Sequence, residues 1–343
     1  PVSVCLTKVI ELHSKSEFRI YVYSLNEIED EYTERIKNAV FCYRNIKNLS
    51  NIEIVRLARN DKIDIAVDLN GYTNKNRISI FHYRVAPVQI NYLGYPGTLG
   101  SKSHDYILAD KTLIPDENKK FYTEKILYLP YSFIPYDNTQ KISDKNFSKI
   151  DLGLPSEGFV FACFNNILKI TRKEFTIWMS LLKKVDKSVL WILKPHQTAM
   201  KNIFTELNKQ GINKNRIIFA EKMKLNEHIL RHSFADLFLD TFNVNAGTTA
   251  NIALYSGLPI ITLEGQSFSA RIASSILKAC QLNELITYNY SEYESLACEL
   301  ATNKDKLNKI RQKVKFEINN TFFNSHEFTK DLENIYSNIV KYS

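Results

Sequence analysis

The sequence predicts an α/β protein built as two doubly wound domains in tandem. Three observations carry this. Short apolar runs of strand composition alternate with helix-length segments along the 343 residues. The clearest run, Asp236–Asp240 (DLFLD), is a short apolar run ending in a carboxylate, as a parallel strand buried on both faces would be. The alternation lapses once, between Pro130 and Pro155, where Pro135, Asp137, Asn138 and the Lys/Ser/Asp-rich stretch 141–149 read as a linker. The expected domains are therefore 1–140 and 150–325, with a terminal helix at 326–343 packing back on the first.

In the first half, Phe18–Leu25 (FRIYVYSL) has strand composition, Glu27–Val40 reads as a charged helix and Ile52–Arg59 as a short one. Ile63–Leu69 is a strong strand, Asn70-Gly71-Tyr72-Thr73 a turn and Arg77–Tyr83 a helix. Pro87–Leu93 is the next strand, ended by Gly94-Tyr95-Pro96-Gly97-Thr98, and Tyr106–Ala109 and Lys125–Leu129 are two more. In the second half the strands are Phe159–Phe164, Val189–Leu193, Arg216–Ala220, Asp236–Asp240, Pro259–Leu263 and Leu285–Tyr288. Helices over Thr171–Val185, Thr198–Lys209, Leu225–Phe234, Thr248–Ser256 and Ser267–Lys278 fill the gaps. Glu292–Ala301, Lys304–Ile318 and Glu327–Val340 close the chain. Two such domains place a ligand crevice at the carboxyl ends of their strands.

With 44% hydrophobic residues the chain can build two cores, and its net charge of +8 is spread along the whole length. That fits a protein with anionic ligands better than a dedicated nucleic-acid binder, which would show strongly salt-dependent affinity. Cys5, Cys42, Cys163, Cys280 and Cys298 are odd in number and lack zinc spacing, so reduced cytosolic thiols are expected, with no membrane span and no metal. The start at Pro1 reads as a segment of a longer protein.

Candidate chemistry gathers at strand ends. Asn243–Thr249 is a small polar loop opening a helix, and unpaired N–H groups at a helix start attract anions, phosphate above all; a helix capped by Thr248 or Thr249 is the plainer alternative. Lys169, after the first strand of the second half, could neutralise a diphosphate held on Gly247, Thr248 and Thr249, or simply face solvent. His228 could stack on a base with Arg231 on the same helical face, or be a surface histidine partnered by Glu227. Gly71, Gly94 and Gly97 permit close backbone approach or serve ordinary turns. No D-x-D follows a strand, and neither G-x-x-x-x-G-K-[ST] nor G-x-G-x-x-G occurs after one. Metal-dependent sugar-nucleotide chemistry, triphosphate hydrolysis and nicotinamide chemistry are disfavoured.

DLNGYT (68–73), APVQINYLGYPGT (86–98), DYILAD (105–110), EKILYLP (124–130), FNNILKI (164–170), LWILK (190–194), NRIIF (215–219), EH (227–228), ADLFLDT (235–241), NAGTTA (245–250) and SARIA (269–273) stand in this order. Together they resemble the catalytic region of the O-GlcNAc transferase/Spindly family over nearly the whole chain. The resemblance implies a GT-B fold, two Rossmann-like domains facing each other across a crevice, the first incomplete and on the acceptor side, the second holding the nucleotide sugar. It implies cytoplasmic, inverting, metal-independent transfer of a sugar, GlcNAc from UDP-GlcNAc, to Ser/Thr hydroxyls of proteins, without a cofactor. Helical repeats upstream would present the protein acceptors.

On that resemblance Lys169 lies on the leaving diphosphate with Asn166 near it. His228 stacks on the uracil, Arg231 stands beside the nucleotide, and Thr248 and Thr249 hold the diphosphate after Gly247. Tyr72, Gly94, Tyr95, Pro96 and Gly97 border the acceptor side. Three positions depart from the pattern: Gly247 replaces the His of animal enzymes, Tyr72 the His of many bacterial ones, and Ile252 the usual donor-fixing Asp. Spindly-type members use GDP-fucose, so O-fucosyl transfer is one alternative. A nucleotide-sugar-binding module without catalysis, motivated by Ile252, is another.

Overall fold

The computed structural model describes residues 2–26, 29–320 and 324–341. It divides into two compact units, Pro1–Thr139 with Phe323–Ser343, and Gln140–Phe322.

The first unit runs α1 (Val2–Leu12), β1 (Tyr21–Ser24), α2 (Glu31–Ala39), β2 (Cys42–Asn45), α3 (Asn51–Asn60), β3 (Ile65–Asp68), α4 (Ser79–His82), β4 (Val88–Asn91), β5 (Tyr106–Ala109) and β6 (Lys125–Tyr128). Its helices start where the chemistry directs: Asp30 with Thr33 and Ser50 with Glu53 close capping boxes at α2 and α3. The expected helix from Glu27 begins at Glu31; Glu27 and Ile28 lie outside the described residues. The helix expected over Arg77–Tyr83 shrinks to the four residues of α4, which has no side-chain cap.

All strand pairs are parallel, but in two pieces: β1 with β2, and β3-β4-β5-β6. Residues of β1 and β3 line one cavity of about 1130 Å³, together with Leu6 and Val9 of α1 and His13 just after it. The difference shows in burial: β4 is buried throughout, whereas Ile65, Ala66 and Val67 of β3 are only half-buried. Val55, Ala58, Phe81 and Val85 form a core under α3 and α4.

The last helix, α12 (Ser325–Lys341), lies on α1. Glu333 accepts from the Ser14 amide at 2.7 Å and meets His13 Nδ1 at 3.0 Å. The stretch read as linker is not free at its start. Phe133, Ile134 and Tyr136 are buried, the Tyr92 hydroxyl donates to the Phe133 carbonyl at 2.7 Å, and Arg35 holds the buried Asp137 at 2.7 Å.

The second unit runs β7 (Val160–Cys163), α5 (Arg172–Lys184), β8 (Val189–Leu193), α6 (Gln197–Lys209), β9 (Ile217–Ala220), α7 (Leu225–His232), β10 (Leu237–Leu239), α8 (Thr248–Tyr255), β11 (Ile260–Leu263), α9 (Ile272–Ala279), β12 (Ile286–Thr287), α10 (Tyr290–Thr302) and α11 (Lys304–Asn320). Its single parallel sheet has the order β12-β11-β10-β7-β8-β9. This is the doubly wound order, in which the chain reverses direction between β7 and β10 and leaves the strand ends there open to a ligand. Among the described residues no helix is long and apolar enough to cross a membrane.

Gly94 offers a direct test of the first unit's packing. A Cβ there would sit 1.9 Å from the Leu69 carbonyl oxygen, which is backbone, while at Gly97 the nearest atom is 3.8 Å away. Gly94→Ala is expected to destabilise the first unit by about 1–3 kcal/mol, and Gly97→Ala to stay within about 0.5 kcal/mol. Hydrogen exchange of the β3 and β4 amides reads the difference.

Candidate active site

The site grows from the adjacent ends of β7 and β10. Beyond β7, the buried Asn165 donates to Asp240 Oδ1 at 3.1 Å and to Thr241 Oγ1 at 2.9 Å. Its own Oδ1 accepts from the Thr249 hydroxyl at 2.5 Å. Asp240, at the end of β10, is fully buried. Its Oδ1 also accepts from the amides of Thr241 at 2.8 Å and Ala246 at 2.7 Å, and its Oδ2 from the Thr262 hydroxyl at 2.7 Å. Burial pushes this carboxyl up to about 6, against the pull of those donors and of Lys169.

The loop 241–247 is closed by its own groups. The Thr241 hydroxyl donates to the Val244 carbonyl at 2.7 Å, and Asn245 Nδ2 to the Thr241 carbonyl at 2.7 Å. Glu174 fastens it from below: that residue completes the capping box of α5 with Thr171 and accepts from the Phe242 amide at 2.9 Å.

Two groups stand at the mouth of this frame. Lys169 ends a short 3₁₀ turn, Ile167–Lys169, capped by Asn166, whose side chain accepts from the Leu168 amide at 3.0 Å. The Lys169 ammonium donates to the Asn245 carbonyl at 2.9 Å. The lysine is half-buried rather than solvent-facing; burial lowers its proton affinity, and the charge of Asp240 and then the Cys163 sulfur oppose this. The second group is the start of α8. Its N-cap is Gly247, without any side-chain cap bond. The plainer reading of a threonine-capped helix therefore does not hold at Thr249, whose hydroxyl serves Asn165 instead.

Beside Phe164, α7 supplies a pocket of different character. The Phe164 ring meets His228 at 5.4 Å and His232 at 4.7 Å, and the Arg231 guanidinium lies 4.6 Å above it. Arg231 is buried, held by the Glu221 carbonyl at 2.6 Å. Burial first, then its neighbours, drives His228 down to about 2; burial takes His232 to about 3 and Arg231 to about 10. Both imidazoles are neutral at pH 7. Among the described residues His228 Nδ1, His232 Nε2, Arg231 Nε and Trp191 Nε1 are buried with no hydrogen-bond partner. Such orphaned atoms are costly in a packed interior and suit a site that a polar ligand completes. Glu227, the expected surface partner of His228, pairs with Lys145 at 2.6 Å instead.

The first unit's candidate residues form their own cluster at the ends of β3 and β4. Gly71 takes a left-handed φ of 52°, and a Cβ there would lie 2.5 Å from Tyr95 Cβ. Tyr72 and Tyr95 meet edge to face at 5.4 Å, the Tyr72 hydroxyl donates to the Leu99 carbonyl at 2.8 Å, and Asn91 Nδ2 to the Gly97 carbonyl at 3.0 Å. Pro96 stands between them, half-buried.

The model of Glycosyl transferase family 41 matches residues 1–150 and 145–332. The chain belongs to glycosyltransferase family 41.

Relatives agree with that placement. The chain is 32% identical over 344 residues to the probable UDP-N-acetylglucosamine–peptide N-acetylglucosaminyltransferase SEC of Arabidopsis thaliana, covering 98% of this chain and 35% of that protein. It is 28% identical to the enzyme of the same description, SPINDLY, of Petunia hybrida, covering 98% and 37%. This family 41 chain thus spans about a third of the length of the curated relatives it matches. Among solved structures, a lysine-to-methionine mutant of the Thermobaculum terrenum O-GlcNAc transferase superposes with a TM-score of 0.91 at 26% identity, covering 99% of this chain and 65% of that one. The galactosyltransferase WaaB, at 13% identity and a TM-score of 0.62 over 98% and 95% of the two chains, shares the fold.

In the family 41 chain, Asn166, Lys169, Gly247, Thr248 and Thr249 come together at the β7/β10 switch point, with His228 and Arg231 beside Phe164 on α7. Ile252 is buried on α8. Asn165, Glu174, Asp240 and Asn245, which hold the others in place, were not singled out from sequence. Of these only Asp240 carried a signal, as the carboxylate closing an apolar run. Among the described residues no three His, Cys, Asp or Glu side chains cluster as a metal site.

The buried imidazoles set a pH dependence. Their folded-state proton affinities lie below the ordinary value, so the unfolded chain binds more protons once the pH falls under about 6.5. The stability tied to neutral His228 and His232 is complete above that pH and is lost progressively toward the folded values near 2 and 3. Each histidine should contribute a slope of up to about 1.4 kcal/mol per pH unit. His232→Phe should remove one of the two between pH 6.5 and 5. Urea unfolding followed by Trp178 and Trp191 fluorescence, both in this unit, measures it.

Proposed function

We propose that this family 41 chain is the catalytic region of an inverting, metal-independent glycosyltransferase that moves N-acetylglucosamine from UDP-N-acetylglucosamine to Ser or Thr hydroxyls of proteins. One observation carries the reading: an ammonium and a glycine-started helix are fixed to one buried frame, Lys169 through the Asn245 carbonyl and Thr249 through Asn165. A diphosphate is the ligand whose charge that pair matches. The α7 pocket supports a base, since Arg231 and neutral His228 present orphaned polar atoms next to aromatic rings. The printed descriptions of the relatives support the donor and the peptide acceptor.

In this reaction the acceptor hydroxyl gives up its proton to the medium as its oxygen bonds to the anomeric carbon, while the bond from that carbon to the β-phosphate oxygen breaks. UDP leaves with the electron pair, and negative charge grows on its terminal phosphate. An ammonium beside that oxygen interacts more strongly with the transition state than with the bound donor, which is the condition for raising kcat. Lys169 supplies the positive charge in the place where other transferases use a metal ion. The Tyr72–Tyr95 cluster with Gly94, Pro96 and Gly97 takes the acceptor-side role.

A donor-binding module without transfer draws on one observation. Ile252 is buried and apolar where the resemblance expects a carboxylate. Measured transfer by the full-length protein separates the two readings.

Lys169→Ala is expected to reduce kcat about 10²–10³-fold, the usual effect of losing one preorganised charge-stabilising group, while changing donor affinity far less. Lys169→Met keeps the aliphatic stem and should match Ala if charge is the cause. Either mutant transferring at the parent rate overturns the assigned mechanism. Replacing Thr248 and Thr249 together by Val should weaken UDP binding by about 1.5–3 kcal/mol, through the contact at Thr248 and the loss of the Thr249 bond that seats the helix start on Asn165, read by calorimetry on the 343-residue chain.

A further inference from the structure

We infer that Asp240 is a positioning residue of the donor site: its carboxylate fixes the loop that holds Lys169 and the asparagine that holds Thr249. The inference rests on the donor-site reading above.

The geometry is that of a hub. Three segments remote in sequence meet on one carboxylate: Asn165 after β7, the amides of Thr241 and Ala246 in the loop after β10, and the Thr262 hydroxyl on β11. A fourth segment reaches its backbone, where the Tyr293 hydroxyl of α10 donates to the Asp240 carbonyl at 3.0 Å. Ala246 adjoins Asn245, whose carbonyl receives Lys169, and Asn165 receives Thr249. Lys169 and Thr249 thus stand one residue or one side chain away from the same buried group.

Hydrogen bonding alone does not require a charge here. An asparagine could accept the three N–H donors at Oδ1 and donate to the Thr262 hydroxyl, filling the same space. A buried carboxylate is the costlier choice, because desolvation penalises the ionised form. What it supplies and asparagine lacks is negative charge near a half-buried lysine. Burial favours the neutral amine of Lys169, and Asp240 is the largest influence opposing it. A neutral amine could not offset the charge growing on a departing diphosphate.

The other titratable groups around the hub do not take this role. The Cys163 thiol on β7 is pushed up by burial and stays neutral. Tyr293, raised by burial, stays a phenol. Glu174 on α5 spends its oxygens on Thr171 and the Phe242 amide and does not bear on Lys169.

The test uses the chain itself and Asp240→Asn. Nitrogen-15 NMR follows the Lys169 ammonium through its titration, the resonance being assigned by its loss in Lys169→Met. Calorimetry follows UDP affinity over the same pH series. In Asp240→Asn the Lys169 midpoint and the alkaline loss of UDP affinity should move together to lower pH. At the pH where the parent has lost half its affinity, the variant should have lost more than half.

A purely structural role would lower stability and leave the Lys169 midpoint where it was. Should Asp240→Asn not fold, the parent still decides, because its Lys169 resonance should carry a second inflection near pH 6 as Asp240 titrates. A folded variant with an unmoved midpoint, or a parent without that inflection, overturns the inference alone. A parent that binds no UDP overturns the donor-site reading and the positioning role with it.

Discussion

The second unit depends on one pairing, that of β7 with β10. Leu237 lies against Phe161 and Phe238 against Ala162, so segments some 76 residues apart in sequence end side by side. Parallel strands cannot be joined by a tight turn, so each sends its loop out at the same edge of the sheet. Because the chain winds outward from this pair in both directions, no crossover helix covers the two loops. Asn165 and Asp240 meet there, Lys169 and the start of α8 follow from them, and the α7 pocket forms alongside around Phe164.

A fold of this kind leaves a buried polar floor beneath an open mouth. In the floor the carboxylates of Asp240 and Glu174 and the side chains of Asn165 and Thr241 are bonded, and Asn245 Oδ1 is the orphan beside them. The pocket above α7 has four orphaned nitrogens among apolar rings. Satisfied networks make an interior rigid, and unsatisfied ones mark where the protein has left a vacancy in its own bonding.

The fold class was legible because it is written in local pattern. The apolar runs at Val160–Cys163, Val189–Leu193 and Leu237–Leu239 and the capping boxes at Ser50 and Thr171 need no tertiary information. What was missed lacked such marks. The helix α1 starts on β-branched Val2 and Val4 with no acidic first turn, and β2 is only four residues, two of them polar or charged. The strand order, which decides which loops become neighbours, has no local signature at all. In the site, residues with exposed reactive groups such as Lys169 and His228 stood out by type. Asn165 and Asn245 did not, since a buried amide bonding to backbone looks like any loop asparagine until its partners are known.

The divided sheet of the first unit has a different consequence. β1 and β3 each pair with a neighbour on one side only, and residues of both line the 1130 Å³ cavity, among them half-buried Ile65, Ala66 and Val67. Open parallel edges beside apolar side chains are the templates on which chains add to one another. A strand paired on one side only is held by half the ladder of a central one, so β1 and β3 are among the strands of this unit whose amides open first.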